Sequence, residues 1–277
     1  MRGFVLVEYA GAWGRTALQD SRLVEPVRTY LREAVSRLGL KVLLIRRHSR
    51  PRGEPLGCRV FAAHADPESP WLESATLDRH EELLDMDLTP LREGRSVGLG
   101  REAHPVFLTC THGRHDPCCA EQGRPVANAL AAAHPDLAWE VSHIGGDRFA
   151  GNVVVLPHGL YYGRVTASTA ADLASDHLAG ELTLDLLRGR SGYPMPVQAA
   201  EHFLRRELKL TGLDDLYLRQ QQRDGDLRLV TFWVRPDGQD WTVSLRVGLQ
   251  PAQVLTCHAR VTSPAPAYEF VACFRPG

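Results

Sequence analysis

The sequence predicts an α/β protein in which strands alternate with helices, followed by a small α+β domain. In the first 45 residues, apolar strand-like runs flank a stretch whose apolar residues recur with helical spacing. In the last third, turn signals of the Asp-Gly type separate short apolar runs. At 277 residues with 44% hydrophobic content, the chain is long enough for more than one domain with its own core.

The first hundred residues predict an N-terminal α/β portion. The expected elements are strand Phe4–Glu8, helix Leu23–Leu38 ended by Gly39, strand Lys41–Ile45 and strand Arg59–Ala63. Residues 64–104 are poorly periodic and rich in charge, and we expect a connecting stretch with one short helix near 79–86. This order favours an open sheet with a helix against it.

Residues 101–188 predict a second unit with a recognisable order of elements. These are strand Val106–Thr109, helix Arg124–Ala133, strand Ala138–Ser142, strands Asn152–Leu156 and Leu160–Val165, and a helix capped by Thr169-x-x-Asp172 that runs to about Arg188. Strand, helix, strand, strand, strand, helix is the arrangement of the thioredoxin-like fold. We therefore expect a thioredoxin-like domain here, packed on the N-terminal portion.

Residues 189–277 predict a small α+β C-terminal domain. The segment Gly189–Pro196 reads as a boundary, and a helix over Pro196–Leu208 precedes about five short strands. No motif in this part carries chemistry. No internal repeat is apparent anywhere in the sequence.

Composition excludes several classes of partner. The formal net charge is -1 and no run of Lys and Arg resembles a nucleic-acid-binding tail, so we expect no nucleic-acid partner. No run approaches the ~20 apolar residues of a membrane span, and the N-terminus lacks the apolar stretch of a signal peptide. We expect a cytoplasmic protein without a membrane partner, in a compartment where clustered cysteines bind metal more often than they form disulfides. Cys58, Cys257 and Cys273 are scattered, and we interpret them as small buried residues.

Two segments at strand ends carry the candidate chemistry. Cys110, Cys118 and Cys119 fall within ten residues, just after a predicted strand. His143 and Asp147 follow the next predicted strand, and the glycine pair between them favours a compact loop over a helix. Thiolates that face an imidazole and a carboxylate are typical of a metal or iron–sulfur site.

Longer motifs add a resemblance to a known family. The segments Cys110-Thr-His-Gly-x-x-Asp-x-x-Cys119 and Ser142-His-Ile-Gly-Gly-x-x-Phe-Ala-Gly-Asn152 are similar to those of the sucrase/ferredoxin-like family, as are Ala10–Arg15 and Tyr161–Val165. The similarity covers about residues 1–188. That family includes thioredoxin-like [2Fe-2S] ferredoxins.

The resemblance implies a ligand set for a [2Fe-2S] cluster. Cys110 and Cys119 would supply thiolates to one iron, and His143 would supply an imidazole to the other. Family members with a characterised cluster carry a second histidine where this chain has Asp147. Carboxylate oxygen is a harder ligand than imidazole, so Cys118 is an alternative fourth ligand, or a replacement for Cys119.

The functional hypothesis is an electron carrier with an unidentified redox partner protein, rather than a stand-alone enzyme. Three alternatives remain open at this point: a zinc site of cysteine and histidine, a relative that has lost its cluster, and a thiol oxidoreductase. His112 and His115, inside the first loop, are either neighbours of the ligands or solvated residues. Glycoside hydrolysis lacks support, because no aromatic platform accompanies the carboxylates.

Overall fold

The computed structural model describes residues 1–48, 57–256 and 261–276. The described strands form a ten-stranded sheet and a separate four-stranded sheet. Helices of the first two units lie against the larger sheet, and the third unit is built on the smaller one. The structure thus confirms a mixed α/β protein with a small α+β C-terminal domain.

The N-terminal unit supplies one half of the large sheet. Its elements are β1 (Gly3–Glu8), α1 (Glu25–Leu38), β2 (Lys41–Arg46), β3 (Cys58–His64), β4 (Trp71–Leu77), a 3-10 helix (His80–Asp85), α2 (Thr89–Arg92) and the short β5 (Gly100–Arg101). Helix α1 ends at Gly39, whose φ of 68° is the left-handed conformation that glycine adopts without strain.

The second unit supplies the other half. Its elements are β6 (Val106–Cys110), α3 (Pro117–Ala133), β7 (Ala138–Val141), a 3-10 helix (Asp147–Phe149), β8 (Val153–Leu156), β9 (Leu160–Tyr162), α4 (Ala167–Leu178) and β10 (Leu187–Arg190). Strand β6 pairs with β7 in parallel and with β8 in antiparallel orientation, and β9 is antiparallel to β8. This is the predicted thioredoxin-like arrangement.

The same arrangement occurs a second time in the N-terminal unit. Strand β1 pairs with β2 in parallel and with β3 in antiparallel orientation, and β4 is antiparallel to β3. The sheet order is therefore β2-β1-β3-β4 in one unit and β7-β6-β8-β9 in the other, and the two units join where β2 meets β7 in antiparallel orientation. The structure thus reveals an internal duplication of topology that the sequence does not show.

The two units share one core. On one face of the sheet, side chains from both units pack into a single buried cluster, for example Leu6, Ile45, Leu108 and Val141. On the other face, α1 covers the first unit and α3 with α4 covers the second, each over its own buried cluster. The shared core fixes the position of the second unit's strand ends relative to the N-terminal loop.

The C-terminal domain packs a helix on a small antiparallel sheet. Its elements are α5 (Met195–Leu208), β11 (Leu216–Asp224), β12 (Leu227–Val234), β13 (Gln239–Leu249) and β14 (Pro266–Phe274), in that sheet order. Four strands are described where about five were expected. Val197 and Leu204 of α5 are fully buried against this sheet.

A buried ionic cluster lies where the C-terminal domain meets the second unit. Glu201 of α5 contacts Arg205 at 3.1 Å and Arg190, the last residue of β10, at 3.4 Å. All three side chains are at most 3% exposed. Arg205 also donates to the Gly212 carbonyl at 2.8 Å. Burial opposes ionisation of Glu201, but the two guanidiniums hold its pKa below the usual range.

Three expectations about the elements are wrong. The stretch 64–104, expected to connect, contains β4 and the short β5. The helix expected to run to about Arg188 ends at Leu178, is capped by Thr166 with Thr169, and gives way to β10. Helix α3 begins at Pro117 rather than at Arg124, because Asp116 caps it and proline fits its first turn.

None of the helices in the part of the chain that the structure describes has the length and apolarity to span a bilayer. Among the scattered cysteines, Cys58 is buried and Cys273 is half-buried, while Cys257 lies outside the described residues.

Candidate metal centre

The first cysteine lies at the end of a buried strand and the second lies in the first turn of a helix. Cys110 ends β6 and Cys119 is the third residue of α3, and each is 1% exposed. Asp116 caps the helix by accepting a hydrogen bond from the Cys118 amide at 3.0 Å. A Cβ added at Gly123 would lie 2.0 Å from the Cys110 carbonyl oxygen, so this glycine lets α3 approach the strand end closely.

The histidine loop follows the neighbouring parallel strand. Ser142, directly after β7, donates its amide to the Leu44 carbonyl at 2.8 Å and accepts the Leu44 amide on its hydroxyl at 3.1 Å. Gly145 and Gly146 have φ values of 94° and 77°, so the chain turns back on itself instead of forming a regular helix. The loop is compact, as the glycine pair predicts.

The two segments meet in space. The sulfur atoms of Cys110 and Cys119 and a ring nitrogen of His143 lie within 4.8 Å of one another. Asp147 completes the group, since its Oδ1 lies 3.2 Å from His143 Nδ1 and 3.7 Å from Cys119 Sγ. Four of the five residues singled out in the sequence are therefore brought together.

Cys118 is the residue that the structure sets apart. It is half-buried, and its sulfur is engaged in a disulfide bond. In that form it is not a thiolate, and only thiolates bind metal.

A hydrogen bond links the two central cysteines and shifts their pKa values in opposite directions. Hydrogen bonds from Cys119, from His143 and from the backbone amides of His112 and Ile144 outweigh burial and hold the pKa of Cys110 well below its usual value. The hydrogen bond to Cys110, reinforced by burial, raises the pKa of Cys119 above its usual range. These hydrogen bonds thus favour the thiolate form of Cys110, which is the form of cysteine that binds metal.

The site carboxylate is also perturbed. Burial raises the pKa of Asp147, and the neighbouring His143 opposes that rise. The carboxylate lies next to the sulfur atoms and is 5% exposed. It is therefore enclosed with the other donors rather than directed to solvent.

The N-terminal loop covers the site, and sequence reasoning did not assign it this role. His112 Nε2 lies 2.6 Å from the Gly14 carbonyl oxygen, and His112 Nδ1 accepts the backbone amide of His143 at 3.1 Å. His115 Nδ1 lies 3.1 Å from the Arg15 carbonyl oxygen, and its ring stacks on that of His143 at 3.7 Å. Both histidines are neighbours of the candidate ligands rather than freely solvated residues. The sequence feature that could have indicated this cover is the Ala10–Arg15 segment, which carries part of the family resemblance.

Comparison with known proteins identifies the family. The family model described as sucrase/ferredoxin-like matches residues 3–189, about two thirds of the chain. This chain belongs to the sucrase/ferredoxin-like family. No curated protein matches it.

Solved structures similar to this sucrase/ferredoxin-like protein are small and distant. The thioredoxin-like [2Fe-2S] ferredoxin from Aquifex aeolicus is 20% identical with a TM-score of 0.30, over 34% of this chain and 97% of that one. A cysteine-to-serine variant of the same ferredoxin is 21% identical with a TM-score of 0.29, over 31% of this chain and 99% of that one. The family assignment rests on the family match, and the fold on the strand order described above.

The donor set of this sucrase/ferredoxin-like protein fits a group bound by sulfur and nitrogen. Two buried sulfur atoms and one imidazole converge, and this combination suits iron–sulfur clusters and zinc. His143 Nδ1 is buried with no hydrogen-bond partner among the described residues, although the Asp147 carboxylate lies near it. A buried polar atom rarely stays without a partner in a native protein, so this nitrogen is a candidate for a ligand bond.

Proposed function

We propose that this protein is an electron carrier with a [2Fe-2S] cluster of mixed cysteine and histidine ligation. The observation that carries the proposal is the convergence of two buried sulfur atoms and one ring nitrogen of His143 within 4.8 Å of one another. Cys110, Cys119 and His143 are the proposed ligands. Asp147 is the proposed fourth ligand, because its carboxylate contacts both Cys119 and His143 and the Cys118 sulfur is engaged elsewhere.

Such a cluster, when bound, supplies one-electron chemistry at a potential set by its ligands and hydrogen bonds. The chain supplies the surroundings. Cys110 and Cys119 are shielded from water, and the amides of His112 and Ile144 donate to the Cys110 sulfur. The Lys41 ammonium donates to the Ile144 carbonyl at 3.0 Å and adds positive charge beside Cys110. These contacts stabilise the negative charge of the sulfur ligands.

Zinc is the second candidate, and a specific observation favours it. The three donor atoms lie within 4.8 Å of one another. In a tetrahedral zinc site, ligand atoms about 2.0–2.3 Å from the metal lie about 3.3–3.8 Å apart. A compact donor set can therefore close on a single ion with little movement. A protein purified with zinc and without colour would assign the site to a structural metal instead.

A thiol oxidoreductase is less compatible with the geometry. Thiol–disulfide exchange requires a thiolate that a substrate disulfide can reach. Cys110 and Cys119 are each 1% exposed, so a protein disulfide cannot approach either sulfur. Activity with a dithiol that survives iron chelation and disappears in Cys118→Ser or Cys119→Ser would support this alternative.

We extend the proposal to a partner and a compartment. An electron carrier needs a donor and an acceptor, so we propose an unidentified redox partner protein. We propose a cytoplasmic location, because Cys110 and Cys119 must stay reduced to bind metal. The disulfide of Cys118 is then an exception among cytosolic proteins.

The pH dependence of the reduction potential tests the histidine ligand. An imidazole that binds iron through one nitrogen can bind a proton on the other, and reduction makes the ring more basic. Reduced protein then binds the proton more tightly, so the potential is expected to fall as pH rises, by up to about 59 mV per pH unit. Voltammetry between pH 6 and 10 measures this. A potential that stays flat over this range would contradict imidazole ligation.

A further inference from the structure

A groove of about 660 Å³ lies between the second unit and the C-terminal domain. One wall includes Arg148, Phe149, Arg164 and Arg188, and the opposite wall includes Gln198 and His202 of α5. Ligand pockets of small molecules are typically about 300–1,000 Å³ and often lie where two domains meet. The groove therefore has the size and position of a ligand site, and the proposed electron-carrier function does not use it.

Three arginines converge on one aromatic ring in this groove. The guanidinium carbons of Arg188, Arg148 and Arg164 lie 3.6, 4.6 and 5.6 Å from the centroid of the Phe149 ring. The ring contributes weak cation–π attraction but no negative charge. Partial burial, and then the charges of Arg164 and Arg148, lower the pKa of Arg188, whose side chain remains accessible to solvent. The three positive charges repel one another at this point of the surface.

No carboxylate of the described chain forms an ion pair with these three arginines. The acidic side chains nearby are paired elsewhere. Asp147 faces His143 and Cys119, and Asp185 pairs with Arg206 at 2.8 Å. Glu201 belongs to the buried ionic cluster. The three guanidinium charges of the groove therefore have no counter-charge among the described residues, and a bound anion could supply it.

The shape of the groove favours a small ligand over an acidic protein surface. The three charges surround one ring instead of spreading along a face, so a compact anion can reach more than one of them. Arginine presents a planar fork of donors that matches phosphate oxygens, and its hydrogen bonds to phosphate are charge-assisted. Gln250 and Gln253 add neutral polar groups to the rim.

We propose that this groove binds a small molecule that carries at least two linked phosphate groups. The proposal does not depend on the cluster, since none of the arginines is a candidate metal ligand. The groove adjoins the candidate metal centre, because Arg148 and Phe149 directly follow Asp147 in the sequence.

Calorimetric titration of the full chain with inorganic pyrophosphate tests the proposal. Wild-type protein is expected to bind pyrophosphate at least about tenfold more tightly than inorganic phosphate, because two phosphates reach more than one guanidinium. Arg188→Gln is expected to weaken pyrophosphate binding about tenfold. The double variant with both Arg148→Gln and Arg188→Gln is expected to bind pyrophosphate more weakly still. The matched control is Arg37→Gln, an exposed arginine of α1 that lies outside the groove and should leave binding unchanged.

Circular dichroism of each variant separates loss of the site from loss of folding, since the arginines are exposed and the variants should fold. Equal affinity of folded Arg188→Gln and wild type for pyrophosphate would overturn the proposal. So would the absence of binding at millimolar pyrophosphate. Binding of a polyglutamate peptide without binding of pyrophosphate would also overturn it and assign the groove to an acidic protein.

Discussion

Replacement of Cys110 by alanine is expected to abolish cluster binding. Cys110 is buried, and hydrogen bonds from Cys119 and from two backbone amides lower the pKa of its thiol and favour the thiolate that a cluster needs. Without this sulfur, the remaining donors leave one ligand position empty in the centre of the site. Alanine is preferred to serine because a serine oxygen could itself bind iron. Iron content and visible absorbance should both fall to background in the purified variant.

Cys58→Ala is the matched control for this experiment. Cys58 is also a free and buried cysteine, but it lies on β3, and burial raises its pKa to about 11, so it stays protonated. This variant should keep the iron and absorbance of wild type. A Cys110→Ala protein with wild-type iron content would remove Cys110 from the ligand set.

Replacement of Glu201 by glutamine is expected to cause the largest loss of stability. Glu201 is buried between Arg190 and Arg205, and the substitution leaves two guanidinium charges without a counter-charge. Breaking one partner of a buried ion pair costs about 3–5 kcal/mol of the free energy of unfolding. Urea denaturation followed by tryptophan fluorescence measures the change, since Trp233 and Trp241 lie in the C-terminal sheet.

Glu33→Gln provides the control with the same spacing. Glu33 pairs with Arg37 four residues later on α1, as Glu201 pairs with Arg205 on α5, but the first pair is exposed. Exposed pairs of this spacing contribute about 0.3–0.5 kcal/mol. Equal stability of Glu201→Gln and Glu33→Gln would show that the buried cluster does not hold the C-terminal domain in place.

Strands and helices with a clean apolar pattern could be predicted from the sequence. Strand β1 and helix α1 are examples, since β1 is a short continuous apolar run and the apolar positions of α1 have a period close to 3.6. Strand β4 was missed because Glu73 and Ser74 point into the protein. Glu73 is buried by its contacts with Arg101 and with the Val97 amide, each at 3.1 Å, and only the folded chain reveals these partners.

The internal duplication could not be found by reading residues. Strands β1 and β6 occupy equivalent places in the two units, but their last residues differ in type. Strand β1 ends at Glu8 and β6 ends at Cys110. Both positions lie in one row across the sheet, through the pairs Glu8–Ile45, Ile45–Val141 and Val141–Cys110. Strand order is determined by pairing between distant segments, and pairing leaves no local sequence signal.

The sequence was sufficient to predict which two loops form the candidate site. Parallel strands β6 and β7 end at the same edge of the sheet, so residues that follow them lie close together. The helical position of Cys119 was missed, although Asp116 followed by Pro117 is a typical helix start. The cover provided by Gly14 and Arg15 could not be predicted, because it uses their backbone carbonyls and therefore does not depend on their side chains.

Quantification of iron and acid-labile sulfide in the full chain, purified without oxygen, decides whether the protein binds a [2Fe-2S] cluster. We expect about two iron and two sulfide ions per chain, together with visible absorbance. A colourless protein with one zinc ion per chain and no sulfide would contradict it, and so would a protein without any bound metal.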